Sequence, residues 1–165
     1  TVFVRLGDGT FPNFEQLIPA SFSRTVVFHA EEMRRAVRQA ALAAADNKIV
    51  RLAWAEGAIT VSGRGDEVGK SSVVFKLVTA TGEPEGRVAF NADYLLGYLG
   101  KRDGLVTMRC NDPSSPAVFS HSDGVGVVMM PMFVQHDDKG KGKEAKKEAS
   151  KVEAVAEAAA EAPVS

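Results

Sequence analysis

The chain has 165 residues, of which 45% are hydrophobic and 25% are charged, values that are ordinary for a globular domain and exclude a fibrous or fully disordered chain. Its formal net charge of −1 does not indicate general nucleic-acid binding, although an average leaves room for a local basic face. No apolar run reaches the roughly 18 residues of a membrane helix, and the single cysteine, Cys110, excludes an internal disulfide and predicts a reducing, cytoplasmic location.

The first feature along the chain is an apolar, aromatic segment at residues 9–19. Pro12 and Pro19 each lack a backbone donor and push the residue before them toward extended geometry. We therefore expect an extended connector whose apolar side chains lie against another surface. The chain opens before it in a strand-like run without an initiator methionine. We expect a piece of a longer protein, with residues 1–19 as the end of a preceding domain and an interdomain connector.

The next segment predicts one strand, one helix and three more strands. Apolar residues at spacings of three and four indicate the helix, and Glu31 and Glu32 complement the dipole at its start. Glu56-Gly57 is a hairpin signal between two of the strands. The predicted elements are a strand at 24–29, a helix at 30–45, and strands at 48–55, 58–63 and 70–79.

The same order then recurs. After a turn at 82–86 we expect a strand at 87–90, a helix that Asn91 caps, and three final strands. Helices interleaved with antiparallel hairpins indicate an α+β fold, with two helices packed on one side of antiparallel sheets and the order β-α-β-β-β repeated twice. The remaining predicted elements are a helix to about Leu99 and strands at 105–110, 117–120 and 125–130.

The composition changes after Val134. Residues 135–165 contain no aromatic residue, but six lysines and seven acidic residues. Such a segment cannot bury enough apolar surface to offset the entropy of ordering, so we expect a disordered, charged and Ala/Glu-rich tail. A marginal helix near 150–162 is compatible with its alanine content.

No motif indicates catalysis. The histidines, His29, His121 and His136, do not have the spacing of metal ligands, and no nucleophile elbow or Walker loop is present. The glycine-rich stretch at 63–70 lacks the spacing of a phosphate loop. We therefore expect a non-catalytic protein without a metal or cofactor.

Two clusters are candidates for binding. The first helix carries Arg34, Arg35 and Arg38, and residues one turn apart share a face. A solvated helix face is the simpler interpretation of these arginines. Methionines surround Pro131 near the end of the last strand, and methionine-rich surfaces adapt to several partners. For Met130, a place in the core is an equally good interpretation.

Three segments, taken in order, resemble the sliding clamp, the β subunit of bacterial DNA polymerase III. RLGDGTFPNFEQLIP is similar to the connector between the second and third domains of that family. VAFNADYLLGYL is similar to the start of a helix in the third domain, and NDPSSPAVF with VVMMPMFV to its last strands and carboxyl end. The resemblance covers about residues 3–134 and implies that residues 20–134 are the carboxyl-terminal domain.

The resemblance implies a DNA replication protein that acts without making or breaking a bond. It implies a closed ring around duplex DNA that does not recognise the base sequence. Such a ring would keep the polymerase near the primer end by raising the effective concentration of the polymerase there. The implied partners are the DNA polymerase III catalytic subunit, the clamp loader and repair proteins, which bind through short linear motifs. The ring implies a homo-oligomer if the chain is full-length, and no membrane is involved.

The resemblance also assigns residues to three surfaces. The DNA-facing residues would be Arg34, Arg35, Arg38, Lys101 and Arg102, and the ring interface would include Leu42, Ala43 and a sheet edge. The peptide groove would be lined by Pro12, Gln16, Leu17, Asn91, Tyr94, Ser114, Pro116, Val128, Met129, Met130, Pro131, Met132, Phe133 and Val134.

Several positions depart from the family pattern. Gln16 often corresponds to a basic residue, Phe133 replaces the usual arginine and Val134 the usual leucine. The family chain usually stops here, so the tail starts at the rim of the groove. The rest of the groove would belong to the second domain, and we therefore expect a weak, incomplete site.

Two alternatives stay open from the sequence. One is a stand-alone module or decoy that binds the same peptides without encircling DNA. The other is an unrelated small α+β enzyme or ligand carrier, whose mark would be a deep pocket with convergent polar groups.

Overall fold

The computed structural model describes residues 13–65, 69–100, 102–124 and 126–134. Pro12, Lys101, the first part of the connector and the tail at 135–165 lie outside these ranges. In chain order the described elements are a 3-10 helix Phe14–Leu17, β1 Arg24–His29, α1 Ala30–Ala43, β2 Ile49–Ala55, β3 Ala58–Gly65, β4 Gly69–Lys76, β5 Thr79–Gly82, β6 Gly86–Asn91, α2 Ala92–Leu99, β7 Leu105–Cys110, β8 Ala117–His121 and β9 Val127–Met129.

The strands form two antiparallel sheets. The first sheet has the order β5-β1-β7-β8-β9, and the second has the order β4-β3-β2-β6. In the first, Val26 of β1 lies opposite Met108 of β7. In the second, Leu52 of β2 lies opposite Val61 of β3 and Val88 of β6. Because side chains alternate along a strand, these registers place one apolar face of each sheet toward the core.

Helix α1 packs against β3, β4 and α2. Its buried stripe includes Met33, Val37 and Ala40, at the spacing that brings residues to one face. The small alanines of this stripe let the helix approach β3 so closely that a Cβ placed on Gly63 would lie 1.9 Å from the Ala40 carbonyl oxygen. Gly63 therefore sets the distance between α1 and the second sheet.

An aromatic cluster joins α2 to both sheets. The rings of Phe90 in β6 and Phe119 in β8 meet edge to face with centroids 5.4 Å apart. The ring of Tyr98 in α2 lies 5.5 Å from that of Phe119. Such pairs contribute about 1 kcal/mol beyond their area burial, so this cluster fastens the two sheets together under α2.

The α+β fold with two helices on antiparallel sheets and two β-α-β-β-β passes is confirmed, with one additional strand between the passes. The strand predicted at 70–79 is two strands in different sheets, because β4 ends at Lys76 and the chain then crosses to pair with β1. At the crossing, the Val78 N–H donates to the Val27 carbonyl over 2.9 Å. All four residues of β5 are exposed, so no buried alternation marks them in the sequence.

The connector is not extended throughout. Residues Phe14–Leu17 form a 3-10 helix, which the sequence interpretation did not anticipate. Proline restricts only its own φ and the residue before it, so Pro19 constrains Ile18 and leaves the preceding residues free to form one short turn. Helix α1 also ends at Ala43, two residues earlier than predicted.

Candidate peptide groove and basic helix face

The segment after β9 crosses from the first sheet to the second. The Met132 N–H donates to the Ala89 carbonyl of β6 over 2.7 Å. Strand β6 is at the edge of its sheet, where backbone groups otherwise lack partners. This bond pins the end of the domain and brings residues 132–134 beside β6.

A shallow hollow of about 210 Å³ lies at this crossing, and we call it the carboxyl-terminal hollow. The Phe133 side chain at its rim is 87% exposed, and Met132 is also exposed. Large apolar groups gathered at a concave surface are typical of a site that receives apolar side chains of a partner. The hollow is lined by Ala89, Pro113, Ser114, Met132, Phe133 and Val134.

One wall of the hollow is a loop fixed by Asp112. Its carboxylate accepts hydrogen bonds from the hydroxyl of Ser114 over 2.6 Å and from that of Ser115, and from their backbone N–H groups over 2.8 and 2.9 Å. These bonds, led by that from the Ser114 hydroxyl, hold the pKa of Asp112 well below its usual range. The ionised carboxylate therefore keeps Ser114 at the wall of the hollow.

The hollow brings together four of the groove residues expected from the sequence, namely Ser114, Met132, Phe133 and Val134. It adds Ala89 and Pro113, which sequence reasoning missed. The sequence could have indicated which face of β6 Ala89 occupies. Ala89 lies between Val88 and Phe90, which point to the core, so its own side chain belongs to the opposite face. Pro113 is part of the quoted NDPSSPAVF segment, but its own role was not assigned.

The other predicted groove residues lie outside this lining. Met129 is 6% exposed and belongs to the core, because β9 places it opposite the buried Ala117. The Asn91 side chain caps α2 by accepting from the Asp93 N–H over 2.9 Å, as predicted. Exposed positions are Gln16, Leu17, Tyr94 and Met130, and half-buried positions are Pro116, Val128 and Pro131.

The arginines of α1 divide into two kinds. Arg35 and Arg38 are exposed side chains on the solvent face of the helix. Arg34 is folded inward, with its side chain 18% exposed. One of its amino groups donates to the carbonyls of Gly100 and Arg102 over 2.7 and 3.0 Å, and the other lies 3.2 Å from an Asp103 carboxylate oxygen. Arg34 thus fastens the loop after α2 to α1.

Arg102 is also held within the domain. Its Nε donates to Asp123 over 3.0 Å, and its guanidinium lies 4.5 Å above the centre of the Tyr98 ring. His121 links the loop after α2 to the turn after β8, because its Nε2 is 2.7 Å from the Asp103 carbonyl oxygen and its Nδ1 accepts a hydrogen bond from the Asp123 N–H. The loop after α2 is therefore held by α1, by α2 and by the turn after β8.

The two residues expected at a ring interface lie in different environments. Leu42 is 75% exposed near the end of α1. Ala43 is 3% exposed, and its carbonyl oxygen lies 2.3 Å from the position that a Gly65 Cβ would occupy, so it packs against β3. The neighbouring β4 is an edge strand of the second sheet. Of these features, Leu42 and the β4 edge are therefore the ones accessible to another chain.

Among the described residues, no group of three or more potential ligands could hold a metal ion. No helix in the same residues is long and apolar enough to cross a membrane. Cys110 is a free, buried thiol, and burial raises its pKa to about 11. The thiolate, which is the reactive form, is therefore scarce near neutral pH.

A family model described as the DNA polymerase III beta subunit, C-terminal domain, matches residues 15–133. The beta sliding clamp of Caulobacter vibrioides is 33% identical over 131 residues, which cover 77% of this chain and 35% of the relative. That of Streptococcus pneumoniae is 30% identical over 99 residues, covering 59% of this chain and 26% of the relative. The chain thus spans about a third of the length of the first of these relatives.

Solved structures show the same fold. The Caulobacter crescentus pol III beta structure aligns with a TM-score of 0.69 and 30% identity, over 77% of this chain and 34% of that one. The DNA polymerase III beta subunit of Thermotoga maritima aligns with a TM-score of 0.72 and 21% identity, over 78% of this chain and 35% of that one. At the latter identity the likeness concerns the fold alone.

Proposed function

Because the chain belongs to the family formed by the carboxyl-terminal domain of the DNA polymerase III beta subunit, we propose that it works as the carboxyl-terminal domain, residues 20–134, of a sliding clamp. In this role it contributes to a ring around duplex DNA and to the groove that binds polymerase, clamp loader and repair proteins. It acts in the cytoplasm as a non-catalytic accessory part of the polymerase holoenzyme.

The observation that carries the proposal is the carboxyl-terminal hollow. Its backbone is pinned by the bond between Met132 and Ala89, while the side chains of Met132 and Phe133 stay exposed. A preformed apolar surface binds a short peptide without first having to be ordered, which favours affinity. The Ser114 wall supplies a polar group at its edge.

The exposed arginines support the DNA-facing part of the proposal. Arg35 and Arg38 project from α1 and are available for phosphate contacts, which position a protein without reading sequence. Arg34 and Arg102 are engaged within the domain, so we assign them a structural role in presenting this face. Leu42 and the β4 edge are the proposed surface for ring assembly.

A peptide-binding experiment tests the groove. An array of short overlapping peptides from the polymerase III catalytic subunit of Caulobacter vibrioides is probed with the full 165-residue chain. The tightest peptide is then labelled with fluorescein and titrated in solution. We expect Phe133→Ala to weaken binding about tenfold, because Phe133 is the most exposed apolar group of the hollow.

Leu105→Ala is the matched control, since Leu105 is another exposed large apolar residue but lies on β7 outside the hollow. Its affinity should equal that of the unchanged chain. An equal loss of peptide affinity in Phe133→Ala and Leu105→Ala, or no peptide binding by the unchanged chain, would contradict the proposed groove.

The DNA-facing proposal is tested by the salt dependence of association with a short fluorescent duplex. Removing one phosphate contact should reduce the slope of log affinity against log salt by about 0.9. Arg35→Ala and Arg38→Ala should each lower this slope, whereas Gln39→Ala, an exposed neutral change on the same helix, should not. If the slope is unchanged in both arginine variants, this face of α1 does not contact DNA.

A further inference from the structure

Asn111, the residue directly after β7, is hydrogen-bonded to residues 21–24, which follow the connector. The Asn111 side chain accepts a hydrogen bond from the Ser23 N–H over 2.7 Å and donates one to the Ser21 carbonyl over 3.0 Å. Its backbone carbonyl accepts from the Ser23 hydroxyl over 3.2 Å and from the Arg24 guanidinium. Four hydrogen bonds thus join Asn111 to a short segment nearly ninety positions earlier in the chain.

Neighbouring side chains hold the same segment. The Arg109 guanidinium lies 5.2 Å from the centre of the Phe22 ring, a distance at which cation and ring attract each other. Arg24 also forms an ion pair with Glu83. The chain from Phe22 to Arg24 is therefore held on the sheet and does not depend on Asn111 alone.

Short stretches of chain link Asn111 to two parts of the proposed groove. On one side it precedes Asp112, whose carboxylate fixes Ser114 at the wall of the hollow. On the other side, Ser21 is four residues after Leu17, the last residue of the 3-10 helix. Four residues span at most about 14 Å, so the anchor limits how far Leu17 can move from the domain.

We propose that Asn111 is a positioning residue for peptide binding, which holds the connector at a fixed place relative to the carboxyl-terminal hollow. This inference rests on the proposed groove and deepens it. Without the side-chain bonds, residues 18–21, which join the 3-10 helix to the segment held on the sheet, gain conformational freedom. A peptide that contacts both the connector and the hollow must then order that segment on binding, and its affinity falls.

The test uses two variants of the full chain. Asn111→Ala removes both side-chain bonds, and Asn111→Asp keeps an acceptor for the Ser23 N–H but faces the Ser21 carbonyl with an oxygen instead of a donor. We expect both variants to bind the array-selected, fluorescein-labelled peptide about fivefold more weakly than the unchanged chain. Amide hydrogen exchange at Ser23 should be faster in Asn111→Ala.

His121→Ala is the matched control. The His121 side chain also makes two hydrogen bonds to backbone groups, at Asp103 and Asp123. His121 lies opposite Val106, near the other end of β7 from Asn111 and about 17 Å away along the strand. This variant should lose stability yet keep the peptide affinity and the Ser23 exchange rate of the unchanged chain.

The outcomes separate the two proposals. If Asn111→Ala speeds exchange at Ser23 but binds the peptide as tightly as the unchanged chain, the positioning role is overturned and the groove stands. Unchanged exchange at Ser23 also overturns it. If the unchanged chain binds no peptide, the groove itself fails and this inference fails with it. Should Asn111→Ala not fold, Asn111→Asp decides by its peptide affinity alone, because it keeps the acceptor for the Ser23 N–H; an affinity equal to that of the unchanged chain would overturn the positioning role.

Discussion

The carboxyl-terminal hollow and the basic face of α1, which is formed by the exposed Arg35 and Arg38, are held in place by different kinds of contact. In the hollow, the backbone bond from Met132 to Ala89 fixes the segment that carries Phe133, and the Phe133 side chain stays exposed. On the basic face, the side chain of Arg34 fixes the local structure and is withdrawn from solvent. A side chain is available to a partner where the local structure does not need it.

The largest effect should come from a change that displaces α1, the helix that carries the exposed Arg35 and Arg38. In Gly63→Ala the new methyl group would collide with the Ala40 carbonyl and push α1 away from β3. Overpacking of this kind costs about 3 kcal/mol of the free energy of unfolding, measurable by urea titration. Amide shifts on α1 should change strongly, while those of Met132 and Phe133 should not.

Gly97→Ala is the control for this change. A Cβ at Gly97 has open space, and alanine favours a helix over glycine. It should leave the unfolding free energy unchanged or raise it by up to about 1 kcal/mol. A Gly63→Ala variant as stable as Gly97→Ala would contradict the close packing of α1 on β3.

Neighbouring arginines on α1 offer a sharper comparison. Arg34→Ala removes hydrogen bonds to the Gly100 and Arg102 carbonyls and to Asp103, and should lower the free energy of unfolding by about 2 kcal/mol. Arg35→Ala removes an exposed side chain and should change it by less than about 0.5 kcal/mol. Urea unfolding of the pair measures the difference, and equal stabilities would show that Arg34 does not hold the loop.

The hollow should respond to acid through Asp112. Its folded pKa is depressed below the ordinary value near 3.8, so its hydrogen bonds contribute above that pH and are lost as the pH falls through the lower folded pKa. Amide shifts of Ser114 and Ser115 should therefore stay constant down to about pH 4 and change only in stronger acid. Asp112→Asn should abolish this transition, and a midpoint at or above 3.8 in the unchanged chain would show that these bonds do not stabilise the ionised carboxylate.

Much of the fold could be predicted from the sequence. Apolar residues recur at helical spacing along α1, and they alternate with other residues along core strands such as β3. Strand β5 could not be predicted, because its pairing with β1 buries none of its side chains and so leaves no apolar alternation in the sequence. The hollow was partly predictable from Met132 and Phe133. Strand alternation gives the face of β6 on which Ala89 lies, but only the crossing of the chain end to β6 brings Ala89 into the hollow. Arg34 was expected to face DNA but is hydrogen-bonded within the domain. Residue type and spacing alone do not distinguish an arginine that contacts phosphate from one that makes internal hydrogen bonds.

The central claim is that one surface of this domain receives peptides and a separate one faces DNA. An NMR map of amide shift changes tests it most directly, with the labelled chain titrated first with the selected peptide and then with a short duplex. We predict that the peptide shifts the amides of Ala89, Ser114, Met132 and Phe133, whereas the duplex shifts those of Arg35 and Arg38 on α1. Peptide-induced changes centred on α1, or an unaffected hollow, would contradict this claim.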